Sequence, residues 1–470
     1  MINNTNYKQL CKYCDELLGY NPSISRVAIS FLHVIRPHHT HGKHYELIFS
    51  HSHLFFCSYI LKKLIKNILS FIISCLKIVF ERNSSNIKYS EVDVIFVSHL
   101  FNLNQTQSSK DLYFNDIHEN LTSQSINSKR VFINHSNEKI SAYKDLIIGS
   151  SKISNEILIR LLQLKQFIIL FYYSILKSHT NTERRIKLYA ALESLSYSTL
   201  YNLRIYFFFK KLIKVFSPKI VITTFEGHAY ERIIYKVVNS STKILAAGYQ
   251  HSPIFKHQHS MKRNIENVYK PKLIFSSGKI TYDLLCQFYK QDQIIELGSS
   301  RGEINIKNNN NSNYCLVIPE GMIESVDLFL DYVSQITKTN PDRKFLFRFH
   351  PAISISQIKK RQMIYRNNSQ IIFSNDSLKD DIKKSKFVLY SGSTAVFSSI
   401  IAGLTPIYFD SEELDLNPLY QLKDSIQYVR DIKDFNEIEE DTEAVRNKHI
   451  TYCKAYFSNF NYRKIISLLG

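Results

Sequence analysis

The stretch KFLFRFHP, residues 344–351, alternates Phe347 and Phe349 with Arg348 and His350. On a strand that alternation puts the rings on one face and the cation and imidazole on the other. Pro351 closes the run, because proline has no N–H to give to a ladder. An imidazole at a strand end can donate to a phosphate oxygen, or it can be an ordinary surface histidine. Further on, VLYSGSTAVFSSIIAGLTPIYFD, residues 388–410, reads as a strand, a glycine turn and a helix start. Ser391, Ser393 and Thr394, around Gly392, place hydroxyls where helix-start N–H groups stand free, which suits an anion. Ser393 or Thr394 can equally be a plain N-cap. The lysine and glycine spacing of a Walker loop are missing. In TTFEGHAYERIIYK, residues 223–236, Glu226 falls at a strand end, with Glu231 and Arg232 in the next helical turns. A carboxylate there can act as base or nucleophile, or merely pair with the helix dipole. AAGYQHSPIF sets Gln250 and His251 at another strand end, and VIPEGMIES sets Glu320 and Gly321 at a third, where the glycine permits a tight turn.

Placing these residues requires strands alternating with helices. Short apolar runs such as VDVIFVS (92–98), KIVITTFEG (219–227), KILAAGYQHS (243–252) and KLIFSSG (272–278) alternate with helical patterns at 184–213 and 229–241. The pattern restarts with YCLVIPEG (314–321), a helix at 325–339, KFLFRFHP, QIIFSND (370–376), a helix at 377–385, KFVLYSGS (386–393), a helix at 393–403 and TPIYF (405–409). The expected class is α/β with two Rossmann-like, doubly wound domains facing a central cleft. The expected units are a helical, histidine-rich extension at 1–85, a first Rossmann-like domain at 86–300, an asparagine-rich linker at 301–313, a second domain at 314–440 and closing helices at 441–470. In open α/β sheets ligands sit beyond the carboxyl ends of the strands, where all the residues above fall.

Composition narrows the partners. Over 470 residues, 44 % are hydrophobic, enough for a core in each half, and 60 Lys and Arg against 41 acids give a formal charge of +19. That excess favours an anionic partner. The basic residues are spread rather than clustered, which argues against nucleic acid. The cysteines, Cys11, Cys14, Cys57, Cys75, Cys286, Cys315 and Cys453, are odd in number and suit a reducing compartment. The N-terminal residues lack a basic segment followed by an apolar one, so a cytoplasmic protein is expected. The apolar run 54–80 is interrupted by Lys62, Lys63, Lys66 and Lys77, and 161–178 and 203–217 resemble it. Such segments are either core helices with solvated lysines or helices lying on an anionic membrane surface. The histidines of RPHHTHGKHYELIFSHSH (36–53), with Cys11 and Cys14, invite zinc, but no closed Cys/His spacing follows, and neither a metal nor another cofactor is expected.

PEG at 319–321, FRFHP at 347–351, SGSTAVFSS at 391–399 and FEGHAYER…GYQHS in the first half together resemble the bacterial CMP-Kdo transferases and sialyltransferases of surface-carbohydrate synthesis, over roughly residues 90–430. The sialyltransferase double acid before the glycine is proline–glutamate here. The resemblance implies a GT-B fold and a CMP-activated, Kdo-like ulosonic acid donor. Glu320, Gly321, Arg348, His350, Pro351, Ser391, Gly392, Ser393 and Thr394 would surround its nucleotide and phosphate. Glu226, or after it Glu231, would be catalytic, attacking the anomeric carbon in a retaining reaction or deprotonating the acceptor in an inverting one; retention is the expectation. Arg232, Gln250 and His251 would face substrate. The acceptor would be a lipid-linked or oligosaccharide glycan near the inner membrane. A UDP-, GDP- or ADP-sugar donor, a CDP-polyol donor and a non-catalytic assembly scaffold stay open as alternatives.

Overall fold

The computed structural model describes residues 3–19, 21–35, 39–80, 91–101, 105, 108, 110–135, 146–148, 155–303, 314–351, 353–411 and 415–469. The boundary expected near residue 85, and the asparagine tract from 304 to 313, lie outside these residues; Ser300–Glu303, at the expected start of the linker, is a 3-10 turn.

Seven strands form the first sheet: β1 (Val94–Leu100), β2 (Ser128–Asn134), β3 (Leu146–Ile148), β4 (Ile220–Thr224), β5 (Leu245–Gln250), β6 (Leu273–Ser276) and β7 (Ile294–Glu296). Their spatial order is β3-β2-β1-β4-β5-β6-β7, and every pairing is parallel. Six strands form the second: β8 (Tyr314–Ile318), β9 (Lys344–Phe347), β10 (Ile371–Phe373), β11 (Ser385–Tyr390), β12 (Thr405–Phe409) and β13 (Gln427–Val429), in the order β10-β9-β8-β11-β12-β13, again all parallel. Parallel strands need crossover connections, so helices cover both faces and the strands read as unbroken apolar runs. β1, β4 and β12 are buried at every position. In each sheet the order reverses beside its first strand, which opens a ligand crevice at the carboxyl edge. Two such domains form a GT-B-like pair.

KFLFRFHP does not run as a strand to its proline. β9 stops at Phe347, so Arg348 and His350 belong to the turn after it. Contacts from distant segments fix that turn: the Arg348 side chain donates to the Asp376 carbonyl at 2.6 Å and to the buried Asp381 carboxylate at 2.8 Å, while its backbone N–H still bonds the Val317 carbonyl of β8 at 3.0 Å.

The N-terminal helices are no appendage. Asn4–Leu18, the short turn Ile24–Val27 and the helix His53–Phe80 cover the first domain and share its core. Asp15 pairs with Arg263 at 2.7 Å and His259 at 2.9 Å, and Asn202 donates to the Ala28 carbonyl at 2.7 Å. The C-terminal helix Glu443–Tyr456, capped by the Thr442 hydroxyl, packs on the second-domain helix Ala395–Ile401 and then returns to the first domain. There Ser458 donates to the Ser277 carbonyl at 3.0 Å, Asn461 to the Leu297 carbonyl at 2.8 Å, and Ile465 enters the core. One apolar cluster therefore runs through both domains.

Candidate active site

β4 ends at Thr224 and the chain turns through Phe225–His228 into the helix Ala229–Asn239. Glu231, fully buried, shapes that turn. Its carboxylate accepts the backbone N–H groups of Glu226 at 3.1 Å, Gly227 at 2.6 Å and His228 at 2.9 Å. Burial pushes Glu231 up to about 7 and the charge of Glu226 adds to this, while His228, a backbone N–H and Arg232 pull it back. Glu231 is thus a positioning group, enclosed away from any substrate.

What it positions is Glu226, whose side chain is half-buried and whose Oε2 lies 3.0 Å from His228 Nε2. His251 Nε2 stands 4.0 Å from the other oxygen. Burial opposes ionisation of Glu226, but the His228 hydrogen bond and the nearby His251 and His228 charges hold it well below the usual carboxylate range. Burial likewise opposes charging His228, yet the bond to Glu226 and the charges of Glu231 and Glu226 raise it above its ordinary value. Burial takes His251 down to about 4, with Arg301 acting in the same sense against Glu226. The result is a carboxylate–imidazole pair beside a neutral histidine.

A second layer supports the pair from β1. His99 Nδ1 meets His135 Nε2 at 2.8 Å, His99 Nε2 meets the Thr224 hydroxyl at 2.9 Å, and Tyr230 reaches the same nitrogen at 3.2 Å. The Tyr113 ring meets His251 edge-on at 4.5 Å. Arg301 lies 5.5 Å over the Phe457 ring and within electrostatic reach of Glu226 and Tyr113. Behind His228 lies a cavity of ≈ 300 Å³ lined by Phe31, His44, Tyr45, Tyr189 and Glu193.

In the second domain three separate motifs meet at the carboxyl edge. Glu320, after β8, is buried, and its Oε1 lies 1.4 Å from where a Cβ on Gly392 would stand. The His350 Nδ1 lies 2.6 Å from the equivalent point on Gly321. Only glycine lets the carboxylate and the imidazole come this close to the two turns. Ser393 is buried beside them, Ser391 and Thr394 are half-buried, and Pro351 is exposed. The helix that follows starts at Ala395 and has seven residues, with no side-chain cap from Thr394.

Three expected substrate contacts point elsewhere. Arg232 is fully buried, donates to the Ser260 carbonyl at 2.6 Å and the Tyr269 carbonyl at 3.3 Å, and lies 5.4 Å from the Phe225 ring. Gln250 is buried, donates to the Ser252 carbonyl and accepts from the Ser277 hydroxyl at 3.2 Å. Arg348 is held by Asp381 and the Asp376 carbonyl. Conversely, His228, His99, His135, Tyr230 and Arg301 were not singled out by sequence. His228 sits inside FEGHAYER and His99 at the end of an apolar strand run, which was the available signal. Of the histidine run, His38 and the side chains of His39 and His41 lie outside the described residues, while His44 contacts Tyr189. Burial pushes the Cys11 thiol up to about 11, and among the described residues no His, Cys, Asp and Glu group has the make-up of a metal site.

No family model matches the sequence, and no curated protein sequence does either. Solved structures are similar in outline. The UDP-GlcNAc 2-epimerase of Methanocaldococcus jannaschii is 12 % identical over 80 % of this chain and 99 % of its own, with a TM-score of 0.44. A putative UDP-N-acetylglucosamine 2-epimerase from Listeria monocytogenes is 10 % identical over 81 % and 96 %, at 0.47, and the glycotransferase of kitacinnamycin is 7 % identical over 81 % and 96 %, at 0.44. Likeness this distant says nothing about substrate or reaction; the GT-B-like assignment stands on the two strand orders and the returning C-terminal helix.

Proposed function

We propose that this protein is a glycosyltransferase that moves a Kdo-like ulosonic acid from a CMP-activated donor to a growing bacterial surface glycan. One observation carries the reading. An ionised carboxylate paired with an imidazole stands at the carboxyl edge of one sheet, and the Glu320, His350 and Ser391–Thr394 motifs converge at that of the other. The donor identity is drawn from the motif resemblance. Its nucleotide and phosphate lie against His350, Ser391, Ser393 and Thr394, with Glu320 near the nucleoside. Hydrogen-bond donors aimed at a departing phosphate stabilise charge as it develops.

Glu226, kept ionised, attacks the anomeric carbon; the bond to the CMP phosphate breaks and its electron pair leaves with CMP. Bonding neutralises Glu226 and takes away one of the two carboxylate charges beside His228, whose hydrogen bond to Oε2 stabilises Glu226 as it leaves in the second step. The acceptor hydroxyl then attacks the same carbon from the face that CMP left, its oxygen displacing Glu226 and its proton passing to the CMP phosphate, and the sugar keeps its configuration. The cavity behind His228 receives the acceptor.

Calorimetric titration with CMP, CDP, UDP and GDP, wild type beside His350→Ala, tests the donor site. CMP preference abolished by the substitution is expected. Preference for UDP, GDP or CDP replaces the donor, and folded protein that binds none of them makes the scaffold reading the better one. Mass spectrometry of the peptide around Glu226 after donor alone tests the covalent step; an inverted product without an adduct overturns it.

A further inference from the structure

The helix Glu156–Leu176 is built inside out. Its buried face carries Glu156, Arg160, Gln163, Gln166 and Ser174 with only Ile159 and Leu170 as aliphatic members, while Ile157, Leu161, Ile168, Tyr172, Ile175 and Leu176 face outward. A surface helix of a water-soluble domain has the opposite arrangement. The inward polar groups are bonded to the protein. Gln163 donates to the Ser194 carbonyl at 2.9 Å, Gln166 accepts from the Ser23 hydroxyl at 2.8 Å, and Glu156 pairs with Arg204. The helix is long and apolar enough to cross a bilayer, but these bonds hold it against the first domain.

Beside it lies His53–Phe80, touching it where the Arg160 guanidinium stands 5.5 Å from the Phe71 ring. This helix also turns apolar side chains outward, with Leu54, Leu61, Ile65, Leu69 and Ile72 exposed at helical spacing. It contains no acid, and the single acid of its neighbour is buried. Lys62, Lys66, Lys165 and Lys177 are exposed around this face. An isolated apolar patch of this extent marks an interaction surface. Its rim of cations without acids selects an anionic bilayer over a second copy of the same positive face, which would repel itself.

We propose that these two helices form a monotopic membrane-docking face, lying in the plane of an anionic lipid surface with their outward side chains in the acyl boundary. The surface stands independently of the catalytic reading; its consequence for substrate rests on it. Lys63 of the inner edge bonds Tyr189 at 2.8 Å and pairs with Glu193, and those two residues line the cavity that reaches His228. One helix therefore separates the lipid face from the catalytic pair, so the acceptor is a glycan carried on a lipid anchor.

The test is flotation of the full chain with vesicles of equal parts phosphatidylcholine and phosphatidylglycerol, beside vesicles of phosphatidylcholine alone. Wild type should float with the anionic vesicles, and added salt should weaken this. Leu161→Glu/Ile168→Glu and Ile65→Glu/Ile72→Glu should each lower partition at least about tenfold. All four positions are exposed, so melting temperature and nucleotide affinity should stay those of wild type, which separates this proposal from the catalytic one. No flotation overturns it, as does flotation of the Glu variants at the wild-type level. A wild-type dimer that the same variants split, without flotation, assigns the face to a second copy instead.

Discussion

At the scale of single residues, the Glu226–His228 pair decides the pH behaviour. His228 and His251 hold Glu226 far below the usual carboxylate range, so the attacking form persists into acid. Removing the imidazole takes away the largest of the lowering influences, and the Glu226 pKa must rise. In His228→Gln the acid limb of log kcat/KM should therefore move to higher pH, and the rate at neutral pH should drop about 10²-fold. Glu226→Gln should lose at least as much, with nucleotide affinity retained. An acid limb that stays in place would separate His228 from the carboxylate. The glycines of the second domain make a complementary prediction. A Cβ at Gly392 would overlap the Glu320 carboxylate at 1.4 Å, whereas at Gly321 it would press on the His350 ring at 2.6 Å. Gly392→Ala should displace the buried carboxylate and cost about 1–3 kcal/mol, the usual price of overpacking, together with nucleotide binding. Gly321→Ala can be met by rotating an exposed imidazole, so it should weaken binding with little change in melting temperature.

At the scale of elements, Arg348 shows how far a motif can be read from sequence. RFHP placed an arginine beside the expected phosphate site, but the partner that claims it, Asp381, lies on another helix and is fully buried. Nothing in residues 344–351 signals that partner. Arg348→Ala should leave a buried carboxylate with, among the described residues, the Ser374 hydroxyl at 2.6 Å as its remaining side-chain donor, and destabilise by on the order of 2–3 kcal/mol, since the arginine itself is partly solvated. Arg348→Ala/Asp381→Ala should recover much of that loss in chemical denaturation, whereas a phosphate-binding Arg348 would show its effect in nucleotide affinity and no recovery. The same limit governed the strands. β4, β5, β8, β11 and β12 announced themselves because a doubly covered parallel strand is a continuous apolar run. β3, β7, β10 and β13 have three residues each, too few to show any period; β10 shows as the apolar run in QIIFSND, and the other three gain their place by pairing. Arg232 and Gln250 were legible as polar residues at strand and helix ends but not as buried ones, because burial is decided by Ser260, Tyr269 and Ser277 from distant segments. The inverted helix Glu156–Leu176 has helical periodicity in both its apolar and its polar residues, and sequence alone does not say which face turns inward.

At the scale of the molecule, the returning C-terminal helix makes two domains behave as one. Tyr456 is its pivot. The ring packs 4.8 Å from Phe397 of the second domain, the hydroxyl accepts the Ile254 N–H of the first at 2.7 Å, and the carbonyl accepts the Ser277 hydroxyl at 3.2 Å. The segment it fastens, just after β5, also carries His251 and, through Lys256, a 3.7 Å ion pair to Asp415 of the second domain. One buried ring thus touches the second domain and fastens the segment that carries His251. Tyr456→Phe keeps the ring but leaves the Ile254 N–H without its acceptor, which should cost about 1–3 kcal/mol. Tyr456→Ala opens a cavity in the shared core and should cost about 3–5 kcal/mol. Scanning calorimetry distinguishes a coupling role from plain packing. Wild type and Tyr456→Phe should unfold in one transition, because the common core ties the domains together. Tyr456→Ala should split into two, with the first domain melting earlier. A single transition that merely shifts downward would show that the strand segments and the remaining C-terminal contacts, Ser458 to Ser277 and Asn461 to Leu297, are enough to couple the domains without the ring.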